Sequence, residues 1–151
     1  MGTVAHSETT TVEKLIGTWE IVSANDIRAD GITNPLYGPS PSGVLMFDSG
    51  GRYSLQLCAA GRPKYAAGDR KKGTPDEYRA VATGCNPHWG TYVVDEANRT
   101  ILFKIEHALF ANWEGTEQKR RYTLNGDELT YQVPNAATAA NNPVVVWRRL
   151  K

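Results

Sequence analysis

Residues 100–124, TILFKIEHALFANWEGTEQKRRYTL, admit few folds, because apolar groups recur at every second position on both sides of a central turn signal. Successive side chains of a strand point to opposite faces, so this period predicts Ile101, Phe103, Ile105, His107 and Leu109 on one face and Lys104 and Glu106 on the other. On the second arm Gln118, Arg120, Tyr122 and Leu124 share a face, opposite Lys119, Arg121 and Thr123. A turn at residues 111–114 sets His107 against Gln118 and Ile105 against Arg120. An imidazole, an amide and a guanidinium are then expected among aromatic and aliphatic groups, where an uncompensated charge is costly.

The same pattern recurs along the chain. Segments 17–27, 43–48, 52–60, 89–95, 100–109, 115–124, 128–133 and 144–150 read as strands, the first with Trp19, Ile21, Ser23, Asn25 and Ile27 on one face. Gly50-Gly51 and Asn125-Gly126 supply the positive φ that tight hairpins require. Segment 28–42 contains Asn34-Pro35, Tyr37-Gly38-Pro39 and Pro41 and reads as a long loop, of the kind that rims binding sites. Thr74-Pro75-Asp76-Glu77 combines a capping threonine, a proline at the first helical position and a glutamate three residues after the cap, which predicts a helix from Pro75 to about Thr83, ending near Gly84. A single helical turn is expected at 12–16. Residues 1–11 read as a flexible tail, and 12–151 as a single domain with enough chain for its own core. Eight short strands joined mostly by tight turns point to an all-β fold: an antiparallel up-and-down barrel with one short helix between the third and fourth strands. A barrel of that size holds its own side chains or one small ligand.

Charge narrows the function classes. Seventeen Lys and Arg against sixteen Asp and Glu leave a net charge of +1, without the concentrated cationic surface that nucleic-acid binding requires. No apolar run is long enough to span a bilayer, and the N-terminal residues lack the hydrophobic core of a signal peptide, so membrane insertion is not expected and a cytoplasmic location is. In that compartment Cys58 and Cys85 read as reduced thiols, with a disulfide closing the segment between them as the alternative. His6, His88 and His107 do not form a metal-ligand spacing, and no metal or other cofactor is expected.

Gly17-Thr18-Trp19 on the first strand and Trp147-Arg148-Arg149 on the last, with Tyr37-Gly38, Phe47-Asp48, Tyr53-Ser54, Gly90-Thr91-Tyr92, Asn112-Trp113 and Gln118-Lys119-Arg120 in order between them, give the chain a family likeness. It resembles the lipocalin-like domain family, small stand-alone calycin-type β-barrels of bacteria and fungi. The resemblance implies a barrel with an internal cavity and no fixed cofactor, and a structural cation–π contact between Trp19 and Arg148 or Arg149. It does not imply one reaction, since one fold hosts many functions.

Arg120 is the most informative residue, because no carboxylate falls on a predicted apolar face to neutralise it. It either meets a ligand oxyanion, or reaches water at the rim, or is held by Gln118 and backbone carbonyls. His107 reads as a proton donor and acceptor or as a hydrogen-bonded core histidine. Gln118, Tyr122, Tyr53, Tyr92, Phe103, Tyr131 and Tyr65 are the expected ligand-binding residues, offering rings to an apolar body and polar tips to its heteroatoms. The expected function is binding of a small hydrophobic, aromatic or amphipathic organic molecule inside the barrel. Cofactor-independent isomerisation, cyclisation or elimination would follow, in the manner of secondary metabolism, with His107 and Arg120 catalytic and segment 61–84 closing the mouth. The alternative is a non-catalytic carrier or sensor of a fatty-acid-like or other hydrophobic anion. The sequence leaves a homodimer open.

Overall fold

A computed structural model describes residues 9–134 and 142–151. The expected tail falls mostly outside this range, as does His6. Its last residues are ordered differently from expectation: Thr10 caps, and Thr11 begins, the short helix α1 (Thr11–Leu15). Most of the Ala/Asn-rich loop after residue 134 also lies outside the described residues.

The strands are β1 (Gly17–Ile27), β2 (Thr33–Pro35), β3 (Ser42–Phe47), β4 (Arg52–Cys58), β5 (His88–Asp95), β6 (Thr100–Ala108), β7 (Glu117–Asn125), β8 (Glu128–Gln132) and β9 (Val144–Arg149). Every neighbouring pair is antiparallel, and β1 pairs with β9 as well as β3, so eight of these strands close on themselves. The ninth, β2, pairs only with the far end of β1 within the long loop. Helix α2 (Pro75–Gly84) follows β4, with Thr74 and Glu77 forming the expected capping box and Pro75 in its first turn. The barrel and the helix position therefore follow the sequence expectation.

The end of the barrel nearest α1 is filled. Leu15, Trp19 and Trp147 are fully buried, and Trp19 Nε1 donates to the Leu15 carbonyl at 2.9 Å. Arg149 lies over the Trp19 ring at 4.3 Å and donates to the carbonyls of Ile16 and Lys14, which ties α1 to the last strand. Arg148 points away to Glu20. Above this plug Phe47, Tyr92, Tyr53 and Phe103 pack edge to face, with centroid separations of 4.7 Å for Phe47–Tyr92 and 4.8 Å for Tyr53–Phe103, the arrangement aromatic quadrupoles favour.

Two β-bulges change what the interior receives. In β1 the register shifts between Ile21 and Ser23 with Val22 as the extra residue, which brings Ala24 and Asp26 inside. The expected face carrying Ser23, Asn25 and Ile27 is thereby corrected, and Ile27 is exposed. In β6, Trp89 pairs with His107 but Gly90 pairs with Ile105, leaving Glu106 as the extra residue. One added residue reverses the facing of everything beyond it. Gly90 fits this place because a Cβ there would run into the Lys104 carbonyl oxygen and the Glu106 nitrogen.

The β6–β7 hairpin turns where expected but pairs in another register. The connection contains a 3₁₀ turn at Ala111–Trp113, and the pairs are Phe103 with Gln118 and Ile101 with Arg120, four residues away from the expected register.

Candidate functional site

Opposite the plug, where the barrel receives the long loop and α2, the described residues line a partly open cavity of about 200 Å³. Leu55, Leu57 and Val145 from the strands and Val133 just after β8 form apolar walls, and Phe110 and Trp113 from the β6–β7 connection cover one side. Tyr37 enters from the long loop. Ala82, Thr83 and Cys85 bring the end of α2 to the cavity.

Arg120 lines this space and is only 1% exposed. Its position on β7 places it inward as alternation requires. The guanidinium lies over Phe103 at 4.4 Å and over Tyr131 at 4.9 Å, so aromatic rings occupy its flat faces. Gln118 Oε1 accepts from Nη2 at 2.9 Å and from Nε at 3.3 Å. Among the described residues no carboxylate lies within ion-pair distance of it. Asp26 is a buried inward carboxylate that the expected strand facing had hidden, but it does not meet Arg120, and its Oδ1 has no hydrogen-bond partner among the described residues.

His107 is corrected. The β6 bulge turns it out of the barrel: its side chain is 59% exposed, 3.7 Å from Glu114 and stacked beside Trp89. The interior imidazole belongs instead to His88, which is fully buried. The Tyr53 hydroxyl lies 2.8 Å from His88 Nδ1. Burial holds the His88 imidazole well below its ordinary protonation range, and the positive charge of Arg120 pushes in the same direction. Burial also raises the Tyr53 phenol, so it keeps its proton at neutral pH. The protonated phenol and the neutral imidazole share one hydrogen bond, in which Tyr53 accepts when the His88 proton is on Nδ1 and donates when it is on Nε2. That nitrogen is buried and without a partner among the described residues, and its ring stands edge to face with Trp113 at 5.6 Å.

The other expected residues divide by depth. Tyr131 lines the cavity beside Arg120, whereas Gln118 and Phe103 contact Arg120 and Tyr53 contacts His88 without lining it. Tyr92 is buried near the plug, where its hydroxyl donates to the Asp48 carbonyl at 2.9 Å, and Tyr122 packs in the core; neither lines the cavity. Tyr65 is half-buried on the segment before α2, edge to face with Tyr78 at 5.7 Å, and also stands off the cavity wall.

The cysteines depart from the reduced-thiol expectation. Cys58 at the end of β4 and Cys85 after α2 face one another in an antiparallel bridge with Cα atoms 4.1 Å apart, and their sulfurs form a disulfide. Backbone bonds from Ala59 to Gly84 at 2.6 Å and from Asn86 to Leu57 at 2.7 Å flank it. Compartment reasoning concealed this pairing. Helix α2 itself buries one residue, Glu77, whose carboxylate accepts from the backbone N–H groups of Thr74 and Ala66. Those bonds hold its carboxyl below the usual range.

Eight closed antiparallel strands, plugged at one end and hollow at the other around a buried cation, define a calyx-type β-barrel. The chain belongs to the lipocalin-like domain family, whose model matches residues 16–150. Among solved structures, the wild-type fluorescent protein UnaG is 14% identical, with 93% of this chain and 100% of that chain covered and a TM-score of 0.42. Two point mutants of UnaG match comparably, at 16% identity, 92% and 98% coverage and TM-score 0.40, and at 15% identity, 93% and 99% coverage and TM-score 0.42. No protein of curated function matches the chain. No helix of the described residues is long and apolar enough to cross a membrane.

Proposed function

We propose that the barrel binds a small amphipathic organic molecule in its hollow end, with a carboxylate, enolate or polarised carbonyl oxygen on Arg120. The observation that carries this reading is the burial of the guanidinium at the cavity wall with no carboxylate in contact among the described residues. A buried charge without a counterion is costly, and the hydrogen bonds to a neutral amide do not neutralise it. An anionic ligand supplies the missing charge, and the apolar walls take up its hydrocarbon body. Native mass spectrometry of freshly purified protein, followed by dissociation and identification of any released small molecule, tests the assignment. Saturable binding of anions that is lost in Arg120→Gln supports it, and binding that is indifferent to this substitution refutes it.

The second reading is cofactor-independent isomerisation, cyclisation or elimination in the same cavity. The buried His88 imidazole favours it: it stands behind the lining residue Trp113 rather than on the cavity wall, and its Nε2 has no partner among the described residues. With its proton on Nε2 the neutral imidazole can donate to an oxygen that becomes negative as an enolate forms, while Arg120 stabilises the developing charge. His88 takes the place that alternation had given to His107. Incubation of candidate substrates and a search for a product of changed retention or mass separates turnover from carriage. A ligand recovered unaltered after saturable binding identifies a carrier.

A further inference from the structure

We infer that the ligand is compact, one ring or an equally small branched skeleton bearing a single carboxylate, and that long-chain acids and fused-ring molecules do not fit. This rests on the anion-binding reading above and adds a size and shape to it.

Volume is the first argument. The cavity measures about 200 Å³. An apolar cavity of about 150 Å³ holds benzene, so a single ring leaves space here for a carboxylate and little else. The space cannot extend toward α1. Below Arg120 the barrel is occupied by Phe103, Phe47 and Tyr53 in mutual aromatic contact, and beyond them by the buried Trp19 and Trp147. At the other end α2 is joined to β4 through Cys58–Cys85, and Trp113 and Phe110 stand in contact over the side. Packed interiors resist enlargement, because displaced side chains must leave their rotamers.

The second argument concerns the cation's free edge. A guanidinium has five N–H donors. Gln118 takes the Nε proton and one Nη2 proton, leaving three on Nη1 and Nη2 beside the Tyr131 hydroxyl, with no carboxylate among the described residues to accept them. With Phe103 and Tyr131 on the faces, the opening that remains is the planar end-on fork. A carboxylate matches that fork with two parallel bonds, whereas a single neutral carbonyl matches half of it.

Isothermal titration calorimetry with benzoate, benzamide and palmitate, on the wild type and on Arg120→Gln, tests the inference. The expected result is 1:1 binding of benzoate, at least tenfold weaker binding of benzamide, no binding of palmitate, and at least a tenfold loss for benzoate in Arg120→Gln. Leu57→Phe, which fills part of the cavity and leaves the Arg120 side chain in the protein, is expected to weaken benzoate tenfold or more and keeps the test readable if Arg120→Gln does not fold. Palmitate binding tighter than benzoate and dependent on Arg120 overturns the size limit but leaves the anion site standing. Failure of both acids to bind, or binding unaffected by Arg120→Gln, overturns the anion reading and this inference with it.

Discussion

Replacing both cysteines by serine tests how the wall beside the cavity is held. The bridge joins residues separated by 27 positions. Closing a loop of that length lowers the entropy of the unfolded chain by an amount worth about 3.6 kcal/mol at 25 °C. For a domain of this size a kilocalorie moves the midpoint by about 2–4 °C, so the Cys58→Ser/Cys85→Ser protein is expected to melt about 7–14 °C below the wild type. Differential scanning calorimetry with and without a dithiol reductant provides the measurement. Reduction should lower the wild-type midpoint to that of the double variant and leave the variant unchanged. Helix α2 buries little of its own surface, so the loss should appear first as faster amide exchange in residues 75–84. Superimposable melts under all four conditions, with two titratable thiols in the unfolded wild type, would refute the reasoning.

Stability should also fall as pH drops below about 6.5, because His88 stays neutral when folded and protonates when unfolded. The unfolded state then binds the extra proton, which costs up to about 1.4 kcal/mol per pH unit until the folded-state value is reached, and urea titrations from pH 8 to 5 should show a flatter profile for His88→Gln than for the wild type. His107→Ala, by contrast, removes an exposed side chain and should change stability by no more than about 0.5 kcal/mol and benzoate affinity not at all, as read by the same titrations and calorimetry. Gly90→Ala should cost about 3 kcal/mol in urea unfolding, because its methyl group meets backbone atoms of β6 that cannot move without breaking the bulge.

Alternation made the barrel legible, since closed antiparallel strands need one apolar face each and the turns between them carry recognisable residues. It also placed Arg120, Gln118, Tyr53, Phe103 and Tyr131 inside. It failed where a strand carries an extra residue. The bulge at Glu106 sent His107 outward, and the one at Val22 brought Asp26 in, and nothing in the local composition marks either. A signal for His88 was present: His88, Gly90 and Tyr92 share a parity, and beginning β5 one residue earlier would have turned the imidazole inward with them. The Cys58–Cys85 pair stayed hidden for another reason. Its two strand-like partners are 27 residues apart and become neighbours only when the α2 excursion folds back on itself. The small cavity was likewise beyond reach, because it depends on which of many aromatic rings end up as filler and which as wall.

The seam between β1 and β9 gives the cavity a fixed girth. A ring of eight hydrogen-bonded strands cannot gain a fraction of a strand, so its diameter is not a quantity that gradual substitution can tune. New ligand preferences in a chain of this architecture must therefore arise along the axis: by trimming or enlarging the residues stacked beneath Arg120, or by rebuilding the excursion between β4 and β5 that roofs the hollow.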